Sequence, residues 1–169
     1  MATKTTNKAW IAAQFSKGIE AEQTLADKAS QRAEAPPDPS LAVLYHEIAS
    51  ADERHAKLLE TIAIRYGHTP NREGSGGIGQ AFDRFKGKVA SSVAGSTPLE
   101  KLSHDLAGKA SSIHWYHAWI HAFQSIGDVE STRELSGILT EESAHRDALQ
   151  EGLNRMVEHG AQTGKATTT

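Results

Sequence analysis

No cysteine occurs among the 169 residues, which excludes a disulfide framework and any thiolate metal site and is compatible with a cytoplasmic protein. No run approaches the roughly 20 apolar residues that a membrane-spanning helix needs. Neither sign of charge dominates. Eighteen Lys and Arg against 21 Asp and Glu give a net charge of -3, too little positive charge for a nucleic-acid footprint. Alternating strand patterns are missing at any length. The first residues, Met1-Ala-Thr-Lys-Thr-Thr-Asn-Lys, lack the apolar segment of a secretory leader. These absences leave a single soluble, cytoplasmic, all-helical domain with no membrane or nucleic-acid partner. The chain is long enough to bury a core without staples.

What is present is helical periodicity, punctuated by proline and glycine. From about residue 7 to 33, Ile11, Phe15, Ile19, Glu22, Leu25 or Ala26, and Ala29 form one stripe. Pro36, Pro37 and Pro39 interrupt it, and Asp38-Pro39 reads as an N-cap with proline in the first helical position. Leu41, Leu44, Ile48, Asp52, His55, Leu59 and Ile62 line a second helix that Gly67 closes. A glycine-rich crossover follows, carrying a short amphipathic helix with Ile78, Phe82, Phe85 and Val89 on one side. That helix is expected to cover the bundle locally or to offer a protein-partner surface near Phe82 and Phe85. Thr97-Pro98-Leu99-Glu100 is a capping box for a third helix, whose stripe reads Leu106, Ala110, Ile113, His117, Ile120. Gly127-Asp128 turns the chain into a fourth helix ending near Gly160. Its stripe is Leu135, Ile138, Glu142, His145, Leu149, Leu153, Met156. The domain therefore spans 7–160, with flexible tails at 1–6 and 161–169. Two short hairpin loops and one long crossover predict an antiparallel four-helix bundle.

Each stripe has an ionisable interruption: Glu22 in the first helix, Asp52 and His55 in the second, His117 in the third, Glu142 and His145 in the fourth. Residues three and four apart share a helix face, so these groups point with the leucines into the core. Unpaired ionised groups there would cost several kcal/mol, so they need one another or a metal. Counted from their hairpin loops, all six lie at similar heights, roughly 15–25 Å at about 1.5 Å per residue. They are predicted to meet at one level.

Glu142-x-x-His145, its echo Asp52-x-x-His55, and helix pairs joined by a long crossover resemble the ferritin-like superfamily, which includes ferritins, bacterioferritins and rubrerythrins. The likeness covers residues from about 7 to 158. Within the superfamily the chain is most similar to small bacterial stress-associated bundles of unassigned function. These share a short crossover helix and a final helix reading Leu-x-x-Ile-Leu-x-Glu-Glu-x-x-x-x-x-x-Leu, here Leu135 to Leu149. The resemblance implies a di-metal site in which Glu22, Asp52, His55, His117, Glu142 and His145 are the ligands. Iron is the first candidate cofactor, with ferroxidase or peroxide-consuming activity implied.

Asp52 and His117 stand where that pattern has glutamates. Three carboxylates and three imidazoles neutralise two divalent ions less well than four carboxylates would, and ferric iron favours hard oxygen ligands. Zinc, manganese, copper or a single ion therefore remain open as occupants. Two alternatives also stay open: a metal-free polar network in a structural or partner-binding bundle, and a hemerythrin-like oxygen or metal binder suggested by His117-x-x-x-His121. Trp10, Trp115 and Trp119 are expected at helix interfaces. Nothing in the sequence indicates a cage, so a monomer or homodimer is expected.

Overall fold

The computed structural model describes residues 8–67 and 97–163. Among them all regular structure is helical. The crossover helix expected around Phe82 and Phe85 lies outside the described residues, as do 1–6 and most of 161–169.

Helix α1, Lys8–Glu34, stops before Pro36 and Pro37, because proline offers no N–H and disfavours helical geometry in the residue ahead of it. A 3-10 turn at Pro39–Leu41 starts the next segment, with the Asp38 carboxylate accepting the Ser40 N–H at 2.8 Å. It leads directly into α2, Ala42–Arg65. Helix α3, Pro98–Ile126, opens on a capping box. Thr97 Oγ1 accepts the Glu100 N–H at 3.2 Å while Glu100 Oε2 accepts the Thr97 N–H at 2.7 Å. Gly127, at φ 80°, supplies the left-handed turn that closes α3. Helix α4, Val129–Thr163, then begins on Asp128, whose carboxylate accepts the Ser131 N–H at 3.0 Å and the Tyr66 hydroxyl at 2.5 Å. It runs past the expected end at Gly160, which keeps a negative φ and so makes no left-handed cap.

Helix α1 packs chiefly on α2 and α3 on α4, with further contact between α2 and α4. The apolar core is in two parts. One gathers Phe15, Leu59, Ile62, Trp119, Phe123 and Leu135; the other gathers Leu41, Tyr45, Ile48, Leu102, Leu149 and Met156. The residues between those parts on each helix are the buried ionisable ones: Glu22, Asp52, His55, Lys109 and Glu142. A charged layer thus divides the core, with Lys109 on α3 where the residue counts place His117. Gly18 makes room for it on α1. A Cβ there would lie 2.6 Å from the Trp119 ring, so the stripe passes through Gly18 while Ile19 is only partly buried.

The third helix is turned relative to expectation. Its buried face is Leu102, Asp105, Lys109, Ile113, Tyr116, Trp119, Phe123, about one residue, or 100°, from the face read in the sequence. Aromatic burial decides the orientation. Phe15 stacks on Trp119 with centroids 5.2 Å apart, and Tyr116 and Phe123 meet Trp119 and Phe15 edge-on. Rings that bury 150–250 Å² each outweigh the imidazole of His117, which stays in solvent. Of the three tryptophans, Trp119 is interior, while Trp10 and Trp115 are 48% and 54% exposed. No described helix is long and apolar enough to cross a membrane.

Candidate metal centre

Four of the six expected residues converge. One ligand atom each from Glu22, Asp52, His55 and Glu142 lie within 4.8 Å of one another, and all four residues are buried. His145 is near the group but only half-buried. His117 is exposed and outside it, a consequence of the turned α3. In its place α3 delivers two groups that were not expected, Lys109 and Tyr116.

Lys109 Nζ donates to Asp52 Oδ1 at 2.6 Å and to Glu142 Oε1 at 2.7 Å, with its side chain 3% exposed. Tyr116 donates its hydroxyl to Glu22 Oε1 at 2.6 Å. His55 Nε2 meets Glu141 Oε2 at 3.1 Å, and Glu141 is also held by Arg54. With Nε2–H donating to Glu141, the other ring nitrogen carries the proton of the imidazolium, and a lone pair once that proton is lost. That atom, Nδ1, faces the cluster: Glu142 Oε1 at 3.4 Å, Glu22 Oε2 at 3.8 Å, Asp52 Oδ1 at 3.8 Å. These separations suit ion pairing and exceed a good hydrogen bond.

Three carboxyl groups therefore face two nitrogen bases. Burial raises Asp52, Lys109 lowers it, and its neighbours Glu142 and Glu22 raise it further, to about 8 in sum. Burial alone would lower His55, but Glu142 and Glu22 hold it up at about 9. Lys109 is likewise raised despite burial, by Glu142, Asp52 and Glu22. Burial raises Glu142, yet His55 and Lys109 outweigh it and leave it below the usual carboxyl range. Tyr116 stays a phenol, held far above its ordinary value by burial and by Glu22. His145 is lowered, by burial and then by Lys109, and stays neutral. At neutral pH the metal-free layer keeps Glu142 negative, Lys109 and His55 positive, and one proton on Asp52.

A pH dependence follows. A His55 that holds its proton to about 9 when folded, against about 6.5 unfolded, contributes stability that is full below 6.5 and lost as pH rises through 9. Asp52, raised from 3.8 to about 8, acts in the same direction, since the unfolded chain ionises first. The metal-free protein is expected to unfold at progressively lower urea between pH 6.5 and 9. A flat midpoint across that range would show that neither group holds its proton.

A second charged group lies on the side of Asp52 and Lys109. Asp105 accepts Tyr45 Oη and Arg32 Nε, each at 2.9 Å, and pairs with Lys28 Nζ at 2.8 Å, tying α1, α2 and α3 together. A cavity of about 20 Å³, lined by Arg32, Tyr45, Asp52, Asp105 and Lys109 among others, separates the two groups and has room for one water molecule.

The residues present fit one cation. Glu22 Oε2, Asp52 Oδ2, His55 Nδ1, Glu142 Oε2 and His145 Nδ1 are all buried atoms without a hydrogen-bond partner. Buried polar atoms are rarely left so, and four of these five residues form the one buried group. Three carboxyls and an imidazole are a normal donor set for a divalent transition ion. The Glu141–His55 contact is the carboxylate partner that metal-bound histidines usually have. Among the described residues α3 brings an ammonium, Lys109, to this group rather than a carboxylate. No family model, curated protein or solved structure matches the chain.

Proposed function

We propose that this protein is a metal-binding helical bundle of ferritin-like arrangement that holds one divalent ion per chain. The ion would be ligated by Glu22, Asp52, His55 Nδ1 and Glu142, with His145 able to approach from the next turn of α4. The observation that carries the reading is that four buried residues bring one ligand atom each within 4.8 Å of one another, and each also holds a buried atom without a hydrogen-bond partner. The pairing of α1 with α2 and α3 with α4, and the site's place between two apolar layers, support the bundle reading. Lys109 serves as a built-in second cation, so the two-ion occupancy implied by the family resemblance reduces to one. With three carboxylates, one ammonium, a neutral imidazole and a divalent ion, the charges of the filled site would sum to zero. Iron is the first candidate, then manganese and zinc; a bound iron or manganese ion would supply one-electron redox chemistry. The protein's own groups would fix its charge and exclude bulk water.

A second reading has its own support. In the metal-free layer Lys109 and His55 already pair with Asp52 and Glu142, so the same residues suffice as a structural polar network in a non-enzymatic bundle.

Titration of chelator-treated, untagged protein with Mn²⁺ separates the two. One ion per chain is expected. Glu142→Gln with His55→Gln should abolish uptake while circular dichroism stays helical. Glu141→Gln, which removes only the histidine's partner, should weaken it roughly 10–100-fold. No uptake by the wild type would leave the network reading; equal uptake by the double variant would move the site elsewhere.

A further inference from the structure

The turn of α3 that removes His117 from the core gives it a different setting. His114, His117 and His121 are all exposed, three and four residues apart along one helix. At 100° per residue the three fall within an arc of about 60°. None of them belongs to the buried layer, whose α3 members Lys109 and Tyr116 point inward. Neither His117 nor His121 is hydrogen-bonded to another described residue, so their ring nitrogens are available to a ligand. His114 is oriented by its own helix: its Nδ1 lies 2.6 Å from the Ala110 carbonyl oxygen. A carbonyl only accepts, so Nδ1 carries the proton and Nε2 keeps the lone pair.

We propose that His117 and His121 form a solvent-facing site for a borderline divalent cation of the zinc and copper class, separate from the buried centre. Residues four apart on a helix have Cβ atoms about 5–6 Å apart and lean toward the same end. Two imidazoles on such a frame reach one ion at about 2.0–2.1 Å each, as paired histidines on a metalloprotease helix do. Water completes the coordination, since both rings are open to solvent. His114 lies one turn before His117 and two before His121. It is too far from His121 to share an ion with it, so it lies outside the proposed pair. An imidazole-only donor set prefers Cu²⁺ and Zn²⁺ over Mn²⁺, the opposite bias to the carboxylate-rich core. The two sites are therefore chemically distinguishable.

The test uses untagged full-length protein carrying Glu142→Gln and His55→Gln, so that buried binding does not contribute and the outcome is independent of the core reading. Calorimetric titration with Cu²⁺ and Zn²⁺ should show one ion per chain. His117→Ala with His121→Ala should weaken binding at least tenfold. His121→Ala with Gln124→His keeps the number of histidines but places the new ring two turns from His117, and should weaken binding equally. Retained affinity in that respaced variant, or equal binding by the double alanine variant, would overturn the site.

Discussion

Lys109→Met is expected to destabilise the metal-free protein by about 3–5 kcal/mol at pH 8, the scale seen when one member of a buried ion pair is removed. Methionine keeps most of the side-chain volume, so the loss is not mainly a packing defect. The substitution leaves Asp52 and Glu142, both fully buried, without the ammonium that lies 2.6 and 2.7 Å from them. Three carboxyls would then share His55 alone. At lower pH the carboxyls can take up protons instead, so the deficit should shrink toward pH 5. Adding Asp52→Asn and Glu142→Gln to Lys109→Met removes the stranded charges and should recover much of the loss. Urea unfolding of the three proteins decides the matter. A deficit below about 1 kcal/mol in Lys109→Met would mean that Lys109 is no required counter-ion. Added Mn²⁺ should also stabilise Lys109→Met more than the wild type, because the ion would then replace a missing cation.

That lysine marks the limit of what the residue pattern disclosed. On α1, α2 and α4 the apolar residues are dense on one side and charged residues dense on the other, so Glu22, Asp52 and Glu142 stood out as interruptions. All three are buried where expected. Helix α3 has no such contrast. A stripe through Ile113 can be drawn in either of two phases, one with Leu106, Ala110 and Ile120, the other with Leu102, Trp119 and Phe123. The phase through Leu106 and His117 contains no Asp, Glu, Lys or Arg, whereas the other contains Asp105 and Lys109. A lysine in line with leucines is usually read as a rim residue whose head reaches water. What favoured the true phase was the aromatic series Tyr116, Trp119, Phe123, at helical spacing with Lys109 seven residues before Tyr116. Aromatic area outranks the cost of two charges when both charges find partners, as Asp105 does in Arg32 and Lys28 and Lys109 does in Asp52 and Glu142. Those partners are on other helices, and pairing across helices is not visible in one helix's periodicity. His145 shows the same limit: it shares the stripe with Glu142 and Leu149, but sits at its edge and is only half covered.

Binding of the divalent ion should be steeply pH-dependent, and the charge count fixes the sign. In the metal-free layer His55 carries a proton up to about 9 and Asp52 up to about 8. Ligation needs His55 Nδ1 as a lone pair and Asp52 as a carboxylate, so each incoming ion must displace both protons. A charge of +2 enters and +2 leaves, so the net charge of the buried layer does not change. Mass action then gives an affinity that rises about 100-fold per pH unit below 8, about tenfold per unit between 8 and 9, and levels off above. The same linkage predicts that the ion offsets the alkaline loss of stability, since it removes the two groups responsible for it. Titrations with Mn²⁺ at pH 6.5 and 7.5 in buffers of different ionisation enthalpy measure both the change in affinity and the number of protons released. Asp52→Asn should release one proton instead of two and halve the slope on a logarithmic scale. A wild-type affinity that changes less than threefold over that unit would show that the ion binds without displacing protons from these residues, and so away from Asp52 and His55.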